Sequence, residues 1–210
     1  MPEALIWGAS GGIGSALVNH LKAEGWRVFA AARREDAIPT TADMTFPFDA
    51  SQPASAASTA TLVAAETDGL DLVVYAAGGL TAGPLEKLEP QAWQATIAAN
   101  LDGAFLAARS SLNLLNKDGH MMVIGAYVSK ITLPRMGAYV AAKAGLEAFM
   151  DVLQKEHRRK RITIVRPPAV DTPMWQNVPF NLPQQALSPE TAARSMLEYH
   201  LAGSSGELNL

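Results

Sequence analysis

The run Ala4-Leu-Ile-Trp7-Gly8-Ala-Ser-Gly-Gly12-Ile-Gly14 stands near the start of a chain of 210 residues and introduces the pattern that the rest of it repeats. Residues 4–7 are all apolar, the mark of a short buried strand. Residues 12–24 carry Ile13, Ala16, Leu17 and Leu21 at helical spacing, and Gly25 supplies the stop. The glycines therefore lie at a strand-to-helix junction. Small residues there let the backbone approach a pyrophosphate, whose charge faces the free N–H groups of a helix N-terminus. In a chain with 16 glycines such a cluster also reads as a tight turn. Its place after the first strand of an alternating chain favours dinucleotide binding.

Further strands are expected at 28–32, at 44–48 (interrupted by Pro47), at 70–76, 121–126, 162–165 and 207–210. Between them, helical patterns fall at 53–66, opened by Pro53 and anchored by Leu62 and Val63, and at 138–157 and 189–201, with a turn and a long helix across 90–115. Strands separated by helix-length segments imply right-handed crossovers and a parallel sheet covered on both faces. There is no internal repeat and no linker. At roughly 150 residues per domain the chain is expected to be one doubly wound α/β domain over residues 1–210.

Composition narrows the function. Lys+Arg number 17 and Asp+Glu 20, a net charge of −3, with 49% hydrophobic and 18% charged residues, so the chain has a sizeable core. No Lys or Arg occurs between Arg34 and Lys87, and only Arg166 and Arg194 follow Arg161, which argues against nucleic acid as a partner. Cysteine is absent, removing disulfides and thiolate chemistry. No apolar run approaches about 18 residues, so no membrane span is expected. With no signal peptide visible, a cytoplasmic location is expected. His20, His120, His157 and His200 are dispersed, suggesting surface or helix-face residues and no metal site. The basic run His157-Arg-Arg-Lys-Arg161 ends the long helix, where cations complement the helix dipole.

The glycine spacing is GxxxGxG, and here the sequence begins to resemble the short-chain dehydrogenase/reductase family, over nearly its whole length. Asn100-Leu-Asp-Gly103 matches the family's mid-helix asparagine motif, and Tyr139-Val-Ala-Ala-Lys143 its YxxxK. Pro167-Pro-Ala-Val-Asp-Thr172 is similar to its Pro-Gly-x-Val-x-Thr, with Pro168 in place of glycine. Tyr75-Ala-Ala-Gly78 occupies the place of Asn-Asn-Ala-Gly, with both asparagines absent, and Trp7 stands where threonine is usual. The resemblance implies a single-domain Rossmann-type doubly wound fold of about seven parallel strands with helices on both faces. It also implies cofactor binding by Gly8, Ser10, Gly12, Ile13 and Gly14, with Asp49 at the adenine and Ala77 and Gly78 at the adenosine ribose. Lys143, Val170 and Thr172 complete that set.

NAD-selective sites place an acid at the end of the second strand to hold the ribose 2′-hydroxyl. That place falls on Ala32, followed by Arg33 and Arg34. A guanidinium pairs with a 2′-phosphate through a charged fork, so NADP(H) is expected in preference to NAD(H), with Arg33 as the partner. The other reading makes both arginines solvated loop charges offset by Glu35 and Asp36.

Tyr139 and Lys143 are spaced to share one helix face. A phenol with a reference pKa near ~10 is a poor acid–base catalyst at neutral pH. An ammonium ~4 Å away contributes roughly 4 kcal/mol at an effective dielectric of ~20, enough to bring the phenol toward working pH. The resemblance makes Tyr139 the proton donor to a carbonyl oxygen, Lys143 a holder of the nicotinamide ribose, and Asn100 the anchor of a water leading protons to Lys143. The family's serine, some thirteen residues before the tyrosine, is missing: Ala126 stands there, with Tyr127 and Ser129 as open substitutes. Leu133-Pro-Arg-Met136 and residues 172–187 resemble a substrate pocket and lid.

The expected activity is NADPH-dependent reduction of a small, largely apolar ketone or aldehyde, or the reverse oxidation of an alcohol. Two alternatives stay open: reduction of a conjugated C=C bond, and a nicotinamide-binding sensor weakened in catalysis. A homo-oligomer, dimer or tetramer, is expected through helices around 100–115 and 138–157, with Leu146, Phe149 and Val152 as its apolar surface.

Overall fold

The computed structural model describes residues 1–210. Seven strands, β1 (Glu3–Trp7), β2 (Arg27–Ala32), β3 (Met44–Pro47), β4 (Leu70–Tyr75), β5 (Leu115–Ile124), β6 (Arg161–Arg166) and β7 (Gly206–Asn209), form one sheet in the order β3-β2-β1-β4-β5-β6-β7. Every pair is parallel. The strands are nearly all apolar because both of their faces are covered. Leu5, Trp7, Phe29, Val73 and Tyr75 point to one core, and Ala4, Ile6, Val28, Leu72 and Val74 to the other. Helices α1 (Gly12–Ala23) and α7 (Pro189–Leu201) close the second core. The first is covered by α2 (Pro53–Ala64), α4 (Gly103–Ser111) and α6 (Gly137–Glu156). No helix is long and apolar enough to cross a membrane. Strand order reverses between β1 and β4, which puts a ligand crevice beyond their C-terminal ends.

Four features depart from the sequence expectation. Strand β5 begins at Leu115 rather than 121: Leu115 pairs with Leu70 before the register with β4 shifts between Leu70 and Leu72, so that the polar Asn116-Lys-Asp-Gly119 segment bulges out between the two paired stretches. The strand ends at Ile124, leaving Ala126 just beyond it. The 90–115 region is α3 (Pro90–Ile97), one π-helical turn (Ala98–Asp102) and then α4. A short helix α5 (Val128–Ile131) and a turn of helix at Pro173–Asn177 were not expected from the sequence.

Two expectations about particular side chains are corrected. His120 and His200 are buried and stacked, with ring centroids 5.5 Å apart, and His120 Nε2 lies 2.7 Å from Thr163 Oγ1. A β5 residue and an α7 residue meet here across one sheet face, which dispersal in sequence hides. Leu146 belongs to the core and offers nothing to a shared surface, whereas Val152 is 52% exposed. The outward apolar face of α4 and α6 instead includes Phe105, 44% exposed, whose ring packs edge-on against Phe149 with centroids 6.2 Å apart.

Candidate active site

Loops beyond the C-terminal ends of β1 to β6 carry Gly8, Ser10, Arg33, Asp49, Ala77, Gly78, Ala126, Val170 and Thr172, while Asn100, Tyr139 and Lys143 lie in helices. Gly8 turns the chain at φ +83°, and the N–H groups of Gly8 and Ala9 both donate to the Ala31 carbonyl, at 2.7 and 3.1 Å. A Cβ on Gly8 would strike the Ala77 backbone nitrogen, and one on Gly14 would strike the Gly8 carbonyl. Helix α1 starts at Gly12 with Gly11 as its cap, no capping side chain and no acid in the first turn. That arrangement fits an anionic dinucleotide: a backbone cradle with no side chains in it, at the positive end of a helix dipole. Ser10 and Ile13 are half-buried beside it. Thr172 reaches across from beyond β6, its methyl 2.5 Å from where a Cβ of Gly12 would be. Val170, also in that loop, accepts a 2.8 Å hydrogen bond from Trp175 Nε1 on its carbonyl.

Arg33 and Arg34 emerge exposed directly after β2. The Asp49 carboxylate accepts from Ser51 N at 2.9 Å and Ser51 Oγ at 2.7 Å. Those bonds, with Arg33 nearby as a further cation, hold its pKa below the usual carboxylate value. Asp49 and Arg33 thus share one electrostatic neighbourhood at the β2–β3 edge of the crevice. Gly78, beyond β4, faces Asn100 Oδ1 and the Met174 methyl, 3.0 and 3.4 Å from where its Cβ would be. Asn100 is wholly buried in the π-helical turn. Its Nδ2 donates to the Gly79 and Thr96 carbonyls at 2.6 and 2.8 Å, and its Oδ1 has no partner.

Tyr139 and Lys143 stack on one face of α6. Lys143 is 3% exposed, and its Nζ donates to the Ile124 carbonyl at 2.8 Å, 5.7 Å from the centre of the Tyr139 ring. Burial pushes the Tyr139 phenol up to about 12. Burial also lowers Lys143 to about 8, with the Glu147 carboxylate pulling the other way. The depressed phenol expected from the sequence is not found. The ammonium is drawn to the end of β5 instead of sitting on the hydroxyl, so desolvation outweighs attraction.

Ala126 is buried where the family's serine would be. Tyr127 and Ser129 line an open cavity of about 510 Å³ with Ala126, Ala144, Glu147 and Arg166; neither Tyr139 nor Lys143 is among its walls. Sequence reasoning missed the ion pair there. Arg166 at the end of β6 grips Glu147 through Nε–Oε1 at 2.8 Å and Nη2–Oε2 at 2.5 Å, and reaches Glu207 of β7 at 2.8 Å. The available signal was Glu147 one helical turn beyond Lys143.

Known proteins share the fold and much of the sequence. The family model for short chain dehydrogenases matches residues 2–182. D-threitol dehydrogenase of Mycolicibacterium smegmatis is 31% identical over 182 residues, 80% of this chain and 70% of that protein. The 3-oxoacyl-[acyl-carrier-protein] reductase of Escherichia coli is 29% identical over 181 residues, 81% of this chain and 74% of the reductase. Among solved structures, the alcohol dehydrogenase of the archaeon Thermococcus sibiricus, complexed with 5-hydroxy-NADP, superposes with a TM-score of 0.90 at 27% identity, covering 100% of this chain and 96% of that one. Strand order, glycine cradle and family match agree: the chain belongs to the short-chain dehydrogenase/reductase family of oxidoreductases.

Proposed function

We propose that this chain is an NADP(H)-dependent oxidoreductase acting on a small carbonyl or alcohol, with both cofactor and catalytic residues in one domain over residues 1–210. The observation that carries the reading is the Tyr139–Lys143 pair, stacked on α6, with Lys143 Nζ bonded to the Ile124 carbonyl at the end of β5. A bound nicotinamide dinucleotide supplies the hydride. Gly8, Ser10, Gly12, Ile13 and Gly14 hold its pyrophosphate against the first turn of α1, and Arg33 pairs with the 2′-phosphate. Asp49 lies at the adenine, Ala77 and Gly78 at the adenosine ribose, and Val170 and Thr172 complete the cofactor wall. Tyr139, protonated at neutral pH, donates to the carbonyl oxygen in reduction and accepts the proton in the reverse direction. Lys143 holds the nicotinamide ribose, and Asn100 orders a water that returns protons to Lys143.

One observation favours a slow catalyst or a nicotinamide-responsive binder as the second reading: Ala126 brings no hydroxyl to the substrate oxygen, and the cavity that Ala126 lines with Tyr127 and Ser129 does not include Tyr139 or Lys143. NADPH consumption against a panel of ketones, aldehydes and enones separates the two. Turnover of a ketone or aldehyde supports the reductase, whereas NADPH binding with no turnover of any of them supports the binder. The exposed Phe105 and Val152 on α4 and α6 support a homo-oligomer, for which a monomeric mass by light scattering is the contrary result.

A further inference from the structure

The two departures from the family pattern on β1 and β4 are neighbours in space. Trp7 and Tyr75 face each other in register across the sheet. Phe48 stands edge-on to both, with ring centroids 4.8 Å from Trp7 and 6.3 Å from Tyr75. This aromatic cluster is closed to water, so each polar tip needs a partner inside the protein. Both find one on the same helical segment. Trp7 Nε1 donates to Ser111 Oγ on α4 at 3.1 Å, and the Tyr75 hydroxyl donates to the Ala99 carbonyl at 2.7 Å.

Ala99 lies in the π-helical turn and immediately precedes Asn100. A π turn carries one residue more than a regular turn, which disturbs the carbonyl-to-amide ladder and commonly marks a functional position. Space has been left for the phenol: a Cβ on Gly103 would collide with the Tyr75 oxygen. Burial, together with the Asp102 carboxylate, raises the Tyr75 pKa, so the hydroxyl keeps its proton and remains a donor.

We propose that Tyr75 is a positioning residue for Asn100: its hydroxyl, bonded to the Ala99 carbonyl, holds the π-helical turn that aims the Asn100 side chain at the Gly79 carbonyl. Trp7 and Phe48 brace that phenol. The structural half of this inference stands without any assigned activity. The catalytic half, that Asn100 loses its proton-relay role when Tyr75 lets go, rests on the function proposed above.

The test is Tyr75→Phe in the full chain, with Ser111→Ala as the control that cuts the other polar tip of the cluster. Amide exchange over residues 98–103 should rise about tenfold or more in Tyr75→Phe, with β1 and β4 amides unchanged, and should not rise in Ser111→Ala. With NADPH and a reducible carbonyl, Tyr75→Phe should lower kcat about tenfold while the KM for NADPH stays within about twofold. Combined with Asn100→Ala it should add no further loss, because both changes disable one unit. Unaltered exchange over 98–103 overturns the inference, as does an equal rise in Ser111→Ala or a double variant whose losses multiply. The exchange result does not depend on turnover, so failure of the proposed activity and failure of this inference are told apart.

Discussion

The glycine loop between β1 and α1 and the corner around Ala126 lie at the same end of one sheet, yet they are built from different materials. The loop is backbone: Gly8, Gly12 and Gly14 define a surface that side chains would fill, and the proposed anion site there rests on the first turn of α1. The corner is side chain: Tyr139 and Lys143 from α6, Asn100 from the π-helical turn, and the absent hydroxyl at Ala126 beyond β5. A backbone site tolerates any substitution that leaves glycine in place, so it survives drift elsewhere. A side-chain site can lose one donor and keep its geometry. On the proposed function, that contrast would let a chain keep its cofactor cradle beside an altered catalytic corner.

Breaking the cradle should have the largest effect. Gly14→Ala drives a methyl into the Gly8 carbonyl, backbone that has nowhere to go. NADPH binding by titration calorimetry should weaken by about a hundredfold or more, or the variant should fail to fold, with overpacking strain of roughly 1–3 kcal/mol as the lower bound. Repairing the corner comes next. Ala126→Ser restores a donor of a kind worth about 2.7–4 kcal/mol elsewhere, so carbonyl turnover should rise by up to roughly a hundred- to a thousandfold with NADPH affinity unchanged. No gain would mean that another group already serves the substrate oxygen.

Arg33→Ala sharpens the comparison at the rim, where the cradle does depend on a side chain. Losing one charge-assisted bond of about 1.5–3 kcal/mol should cut the preference for NADPH over NADH by roughly ten- to a hundredfold in paired titrations. An unchanged ratio would assign the 2′-phosphate to another residue.

How much of this the sequence revealed follows the same division. The glycine-rich β1–α1 junction and the alternation of strands and helices were legible because backbone needs and periodicity leave local marks, and the Tyr139–Lys143 pair because it matches a family motif. The π turn at Ala98–Asp102 was not, since no Gly or Pro within it marks the interruption of the helix, and neither were the stacked His120 and His200 or the Arg166–Glu147 pair, whose partners are far apart in the chain. The Tyr139 phenol also came out with its shift reversed, because spacing alone does not say that Lys143 turns to the Ile124 carbonyl.

A test of stability lies away from both sites, where His120 of β5 stacks on His200 of α7. Burial lowers His120 to about 3 and His200 to about 4, so both rings are neutral in the folded protein. Unfolded imidazoles take up protons near pH ~6.5, and stability therefore falls as pH drops from there toward 4 and is unaffected above it. Urea midpoints should show a loss on the order of 2 kcal/mol for each ring between pH ~6.5 and ~4.5. The slope should be shallower in His120→Gln, and an equal slope would contradict the neutral pair.

The most direct test of the account is Tyr139→Phe, assayed for NADPH binding and for carbonyl reduction in the same preparation. The account predicts unchanged binding with turnover reduced by about a hundred- to ten-thousandfold, the range expected for removing a positioned proton donor. Full turnover in Tyr139→Phe would contradict the assignment of the proton donor and with it the proposed reaction.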